Sequence, residues 1–205
     1  MLLYVDSQYT SPYAMSVFVA LQEKSIPFDV RTVDLDAGGQ HAPNFAAQSL
    51  TQRVPTLVDG DFQLSESSAI TEYLDEVYPG APLYPADPKL KARARQVQAW
   101  LRSDLLPIRQ ERSTLVVFYG PSDAPLSPTA QAAAQKLFSA ADALLAEGAE
   151  HLCGTWSLAD VDLAVMLHRL ILNGDPVPPR LREYAERQWQ RPTVQAWVKR
   201  ERPPL

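Results

Sequence analysis

The sequence predicts a small mixed α/β domain followed by an all-α domain, on three observations. Residues 1–35 read strand, helix, strand; a two-strand hairpin and a helix follow; and beyond a proline-rich stretch the apolar periodicity stays helical. LLYVD (2–6) is a short apolar run suited to a buried strand. Ser11 precedes Pro12, a hydroxyl N-cap with proline at N1, and opens a helix with Met15, Phe18 and Val19 at helical spacing. FDVRTVDL (28–35) alternates as a second strand, and this β-α-β order favours a parallel pair with a right-handed crossover. DAGGQHAPNFAAQSLTQR (36–53) is polar and irregular, with one short helix around Asn44–Gln48. PTLVD and FQL then form an antiparallel hairpin across Asp59-Gly60. Ser65 caps a helix whose Ile70, Tyr73, Leu74 and Val77 share one face.

These elements place the α/β domain at 1–79, a stiff linker at 80–88 within PGAPLYPADP, and a helical domain at 89–205. Leu90, Ala94, Val97, Leu101, Leu105 and Ile108 trace one face of a long helix, which Pro107 should bend near its end. Ser127-Pro128 starts another, with Ala134, Leu137, Phe138, Ala141, Leu144 and Leu145 inward; Ser157 starts a third, and RLREYAERQW and VQAWVKR supply shorter ones. There is no internal repeat.

With 205 residues, 46% of them apolar and 21% charged, the chain has ordinary globular composition and enough material for a real core. A formal net charge of −5 argues against sequence-independent binding to nucleic acid or an anionic membrane. MLLYVDSQYT lacks a positive n-region, and its apolar run stops at Asp6, unlike a signal peptide. One cysteine, Cys153, makes no intramolecular disulfide, and His41, His151 and His168 lack metal-ligand spacing. A metal-free cytoplasmic protein is the expectation.

Three motifs carry a resemblance. VPTL (54–57), SES (65–67) and SLADVDLA (157–164), in this order and with SPY (11–13) opening the first helix, are similar to the cytosolic glutathione transferases, closest to serine-type bacterial members. The resemblance covers nearly the whole chain. It implies a thioredoxin-like domain plus a helical domain, glutathione as co-substrate, and a homodimer in a metal-free enzyme. Its thiolate would attack a small electrophile or reduce a hydroperoxide.

Each site has a chemical rationale and a plainer reading. The resemblance implies that the Val54-Pro55 segment, with its proline at a strand entrance, docks the ligand's peptide backbone like an added strand; the plainer reading is an edge-strand proline. Glu66 and Ser67, on the first turn of a helix, suit the ligand's α-ammonium and α-carboxylate, where capping alone would explain Ser65 but not Ser67. Arg53 and Gln40 are candidates for the glycyl carboxylate. Ser11 is the candidate catalytic group: a hydroxyl that accepts a helix N–H keeps its own proton to donate to a thiolate. Ser7, Tyr9, Thr10 and Tyr13 are nearby rivals, and Ser11 as a simple N-cap fits equally.

Similar transferases reach the γ-glutamyl amine with an acidic residue from the partner subunit, which here would be Asp104; a dimer contact or a solvated aspartate fits as well. Asp160, with Ser157, reads as a structural capping box. Trp100, Arg109, Arg112 and an apolar loop LVVFYGP (115–121) are candidates for the electrophile pocket. No cysteine stands at the first helix start, which disfavours a mixed disulfide through the protein. Two alternatives stay open: a non-catalytic protein of this fold binding apolar ligands or partner proteins, and a zeta-like glutathione-dependent isomerase, whose Ser-Ser-Cys run is absent from YTSPY.

Overall fold

A computed structural model describes residues 1–145 and 148–205, which divide by contacts into two compact units, Met1–Leu83 with Pro192–Leu205, and Tyr84–Arg191. The first unit is built on a four-stranded mixed sheet in the order β2-β1-β3-β4: β1 Leu2–Asp6, β2 Asp29–Val33, β3 Thr56–Asp59 and β4 Phe62–Ser65. β1 runs parallel to β2 and antiparallel to β3, and β3 to β4. The crossover is helix α1, Pro12–Glu23, whose residues Ala14 to Leu21 are all buried. A helix apolar on every side needs partners all round. α1 finds them in β1, in α3 (Ser67–Val77) and in α10 (Pro192–Val198). Burying side chains such as Met15 and Phe18 stabilises the unit by about 1.5–3 kcal/mol each. On the other face, Tyr4, Val33 and Phe45 form a small cluster, with the Tyr4 and Phe45 rings edge to face at 5.2 Å; short helix α2, Pro43–Ala46, brings Phe45 there.

Several expectations are corrected in this unit. Asp59 pairs with Phe62, so the hairpin loop is Gly60-Asp61, with Gly60 at φ 62 as a two-residue loop requires. Ser65 does not cap α3. It completes the β4 ladder opposite Thr56, and Glu66 takes the N-cap position at φ 72 without a side-chain cap bond. The chain has one residue in which to leave the strand and begin the helix. That turn holds a non-glycine residue in the left-handed region, at a cost of order 1–3 kcal/mol. Val77, expected inside, is exposed. α10 packs on α1, so the C-terminal segment clusters with this unit rather than with the helical one.

In the second unit the expected long helix is two. α4, Pro88–Ser103, stops; Leu105 turns at φ 59; and α5, Leu106–Glu111, restarts with Pro107 in its first turn. A proline that lacks an N–H and clashes with the preceding turn fits a helix start better than a bend. Leu90 is exposed, and the expected loop at 115–121 contains a helix, α6, Thr114–Phe118, capped by Ser113. α7 spans Pro128–Leu144, α8 Leu158–Ile171 and α9 Pro179–Trp189. α8 is buried on nearly every side, packed by α4, α6 and α9. Its start is the expected capping box of Ser157 and Asp160. No helix of the described residues is long and apolar enough to cross a membrane.

Candidate active site

Strand direction decides where the functional side chains meet. β1 and β2 end where β3 begins and β4 ends, because Tyr4 and Ser65 are both register partners of Thr56. The loop after β1, the segment between β2 and β3, and the β4–α3 junction therefore open at one end of the sheet. Ser11, Val54-Pro55 and Glu66-Ser67 lie on these three connections.

The β1–α1 loop is held from inside by Asp6. Its buried carboxylate accepts from Thr10 N–H at 2.6 Å, Thr10 Oγ1 at 2.9 Å and Ser11 N–H at 3.0 Å. Tyr9 adds a turn, its N–H donating to Asp6 C=O at 3.1 Å, and sits at φ 52. Ser11 is the N-cap: its Oγ accepts from Ala14 N–H at 3.2 Å. One oxygen thus takes a helix donor while its own proton stays available, beside the positive end of a twelve-residue helix.

Ser11 lines a cavity of about 480 Å³ together with Leu35, Gln40, His41, Thr51, Gln52, Arg53 and Val54. Four of the sequence candidates, Ser11, Gln40, Arg53 and Val54, converge there. His41 and Gln52 were missed. Their side chains meet at 2.9 Å between Nδ1 and Oε1, and Gln40 Nε2 lies 3.4 Å from His41 Nε2. Gln40 Oε1 is buried with no partner among the described residues, and Arg53 has no ion pair among them. The backbone of Arg53 is tied by Ser49, whose hydroxyl joins Thr56 Oγ1 at 2.8 Å and the Arg53 backbone at 3.3 Å. The Val54-Pro55 bond is cis, and Val54 lies beyond the last ladder pair of β3, so its backbone is not engaged by the sheet.

Glu66 and Ser67 do not line that cavity. The first bond of α3 runs from Ile70 N–H to Glu66 C=O, so the N–H groups of Ser67, Ser68 and Ala69 have no acceptor within the helix. Glu66 is exposed and Ser67 buried. This is an anion-receptive helix end beside a carboxylate that can take an ammonium.

The remaining candidates belong to the helical unit. Asp104 caps the end of α4, where its carboxylate accepts from Trp100 Nε1 at 3.0 Å and Leu105 N–H at 2.7 Å and pairs with Lys136. Lys136, then the two N–H donors, pulls its pKa down to about 2. Arg109 donates to Asp104 C=O at 3.3 Å. Arg112, a candidate for the electrophile pocket, is committed elsewhere: it is buried and forks onto Asp175 at 2.6 and 2.9 Å while also holding the carbonyls of Glu111 and Ala124. Cys153 is buried, its thiol pushed up in pKa by burial. Among the described residues no cluster of metal-ligating side chains exists.

A thioredoxin-like mixed sheet with a hydroxyl-capped first helix, joined to a helical unit, defines the class of fold. The chain matches the glutathione S-transferase N-terminal domain over residues 7–82 and the glutathione S-transferase C-terminal domain over 87–201, and it belongs to that family. Glutathione S-transferase theta-3 of Mus musculus is 35% identical over 123 residues, 58% of this chain and 50% of the relative. A probable maleylacetoacetate isomerase of Vibrio cholerae is 32% identical over 114 residues, 55% of this chain and 53% of the relative. The chain thus spans about half the length of the curated relatives it matches. Among solved structures, a glutathione transferase homologue from Burkholderia with bound glutathione is 48% identical, with a TM-score of 0.78 over 97% of this chain and 95% of that one. Maleylacetoacetate isomerase from Methylobacterium extorquens AM1, with bound malonate and glutathione, is 27% identical, with a TM-score of 0.77 over the whole of both chains.

Proposed function

We propose that the protein is a glutathione transferase that ionises glutathione's thiol at Ser11 and directs the thiolate at an electrophile. The carrying observation is the Ser11 hydroxyl, which accepts from Ala14 N–H and faces the cavity with its proton uncommitted to that bond. The similar structures that hold glutathione support the ligand. In this reading the cysteinyl backbone pairs with Val54, the α-carboxylate meets Ser67 and the open N–H groups of α3, and Glu66 takes the α-ammonium. Gln40, His41, Gln52 and Arg53 supply the polar edge for the glycyl carboxylate. The sulfur attacks, a carbon–sulfur bond forms, and the leaving group departs with its electron pair. The same thiolate serves hydroperoxide reduction. A homodimer belongs to the proposal, with Asp104, ionised at neutral pH and fixed by Trp100 and Leu105, offered to the partner subunit's γ-glutamyl amine.

The similarity to maleylacetoacetate isomerases favours a second reading, cis–trans isomerisation with glutathione returned unchanged. Thiol consumption separates the two, since conjugation depletes it and isomerisation does not. The primary test is the ultraviolet absorbance of bound glutathione's thiolate against pH in wild type and S11A. The free thiol has a pKa of ~8.5, and a drop of one to two units corresponds to about 1.4–2.7 kcal/mol. A low midpoint in wild type that S11A loses supports the assignment. A low midpoint in both transfers the role to another group, and bound but un-ionised glutathione points to a binding protein.

A further inference from the structure

The loop that presents Ser11 is gripped from two sides, and only the inner grip, Asp6, is explained by the site already described. The outer grip comes from the far end of the chain. Arg202 donates through Nη2 to Tyr9 C=O at 3.3 Å and Trp197 C=O at 3.1 Å. Through Nη1 it reaches the carbonyls of Val198 and Arg200, both at 2.9 Å. One guanidinium thus joins the end of α10 to the loop before Ser11. The Tyr9 ring is enclosed as well: Trp197, fully buried, meets it edge to face at 5.7 Å, and the Arg200 guanidinium lies 4.9 Å from its centre and 5.0 Å from Phe18's. α10 itself is anchored to α1, where Thr193 donates to Glu23 and the Phe18 and Trp197 rings lie 5.2 Å apart.

Tyr9 is the residue in the loop that most needs holding. At φ 52 it occupies the left-handed region, which is strained for a non-glycine residue. Its carbonyl is gripped by Arg202 and its ring by Trp197 and Arg200, while two residues on Ser11 must keep its hydroxyl at the helix end. A guanidinium stacked on an aromatic face, as Arg200 is on Tyr9, is a favourable contact that helps offset that strain.

We propose that the C-terminal Trp197–Arg202 segment is a positioning element for Ser11: it holds Tyr9 in its left-handed turn and so fixes the Ser11 hydroxyl where a thiolate is stabilised. Arg202 and Arg200 act through the loop and touch no substrate. This rests on the reading of Ser11 as the thiol-ionising group, and it locates a determinant of that step nearly two hundred residues away in the chain, on a segment outside the cavity's lining.

The test is a double-mutant cycle read in the midpoint of bound glutathione's thiolate absorbance, using wild type, R202M, S11A and R202M/S11A, with S-methylglutathione affinity measured alongside. R202M is expected to raise the midpoint by ~0.5 pH unit or more, about a threefold loss of thiolate below the wild-type midpoint. S-methylglutathione, which has no thiol to ionise, should bind with unchanged affinity, and R202M should add nothing in the S11A background. R202K, which keeps the charge but cannot fork onto several carbonyls, should shift the midpoint in the same direction, and it carries the comparison if R202M does not fold. An S11A shift with no shift in R202M or R202K overturns the positioning role and leaves Ser11 intact. Additive shifts overturn it too, because Arg202 would then act as an independent charge. An unshifted S11A removes the Ser11 reading and this inference with it. A lowered melting temperature with an unmoved midpoint reduces the segment to a structural brace.

Discussion

Asp160→Ala should strongly destabilise the helical unit. The Asp160 carboxylate takes four hydrogen bonds in a fully buried setting: Leu152 N–H at 2.8 Å and Tyr184 OH at 2.8 Å on one oxygen, Ser157 N–H at 2.8 Å and Ser157 Oγ at 3.1 Å on the other. Removing it strands two backbone donors and the Tyr184 hydroxyl, each worth about 1–3 kcal/mol when left buried without a partner. Against this, burial pushes the Asp160 pKa up, so the carboxylate bears a desolvation cost that alanine relieves. A net loss of about 3 kcal/mol follows, and for a chain of this size that lowers Tm by roughly 10 °C. Tyr184→Phe, which deletes one donor and strands nothing new on its own side, should cost about 1 kcal/mol. Scanning calorimetry at one protein concentration measures both. A D160A variant melting within a couple of degrees of wild type would refute the claim that this carboxylate organises the 152–157 loop and the α8–α9 contact.

Two further outcomes are expected. His168 is buried, stacked on Trp189 at 4.1 Å, and bonded through Nδ1 to Ala164 C=O; burial lowers its pKa from 6.5 to about 4. The folded chain therefore stays neutral there while the unfolded chain takes up a proton, so this group's contribution falls as pH drops from 6.5 towards 4, by about 3 kcal/mol in all, and is flat above 6.5. Urea unfolding of H168F against wild type should show a shallower acid loss in H168F; parallel curves would exclude His168 as a source. Ser67→Ala should weaken glutathione by about tenfold or more by calorimetry, the loss of one hydrogen bond to a charged group, while an unaltered dissociation constant would contradict the carboxylate contact.

The parts of the fold legible in the sequence are those that local chemistry dictates. Ser11-Pro12, Ser127-Pro128 and Ser157–Asp160 each announced a helix start that the structure has. What escaped was set by tertiary demand. Ser65 looked like a cap because hydroxyls cap, yet pairing with Thr56 claimed it for the sheet and moved the helix start one residue on. Pro107 looked like a bend, but a reversal at Leu105 makes it a beginning. In the sequence His41 is one of three histidines without metal-ligand spacing; its place in the polar edge depends on how the segment between β2 and β3 folds back, which no periodicity encodes. Asp6 is the opposite case. It stood in view as the end of an apolar run, and its role as the acceptor for Thr10 and Ser11 follows from an aspartate just before a turn whose N–H groups need partners.

In the proposed chemistry, grip and activation rest on different connections of the same sheet end, and this gives the site a testable division of labour. Backbone groups at Val54 and the start of α3, with the polar edge around Gln40, His41 and Arg53, contact parts of the ligand that do not change charge during reaction. Whatever they contribute is present before and after the thiol ionises, so it lowers KM without selecting the thiolate. Only the β1–α1 loop meets the sulfur, and it is the segment braced from both sides, by Asp6 within and Arg202 without. A hydroxyl misplaced by a fraction of an ångström still caps its helix, but it no longer donates along the line a thiolate needs. The buried carboxylate and the C-terminal guanidinium thus hold still the one donor whose position changes kcat, and variants of the two groups should separate kcat from KM in opposite senses to variants of Ser67 and Arg53.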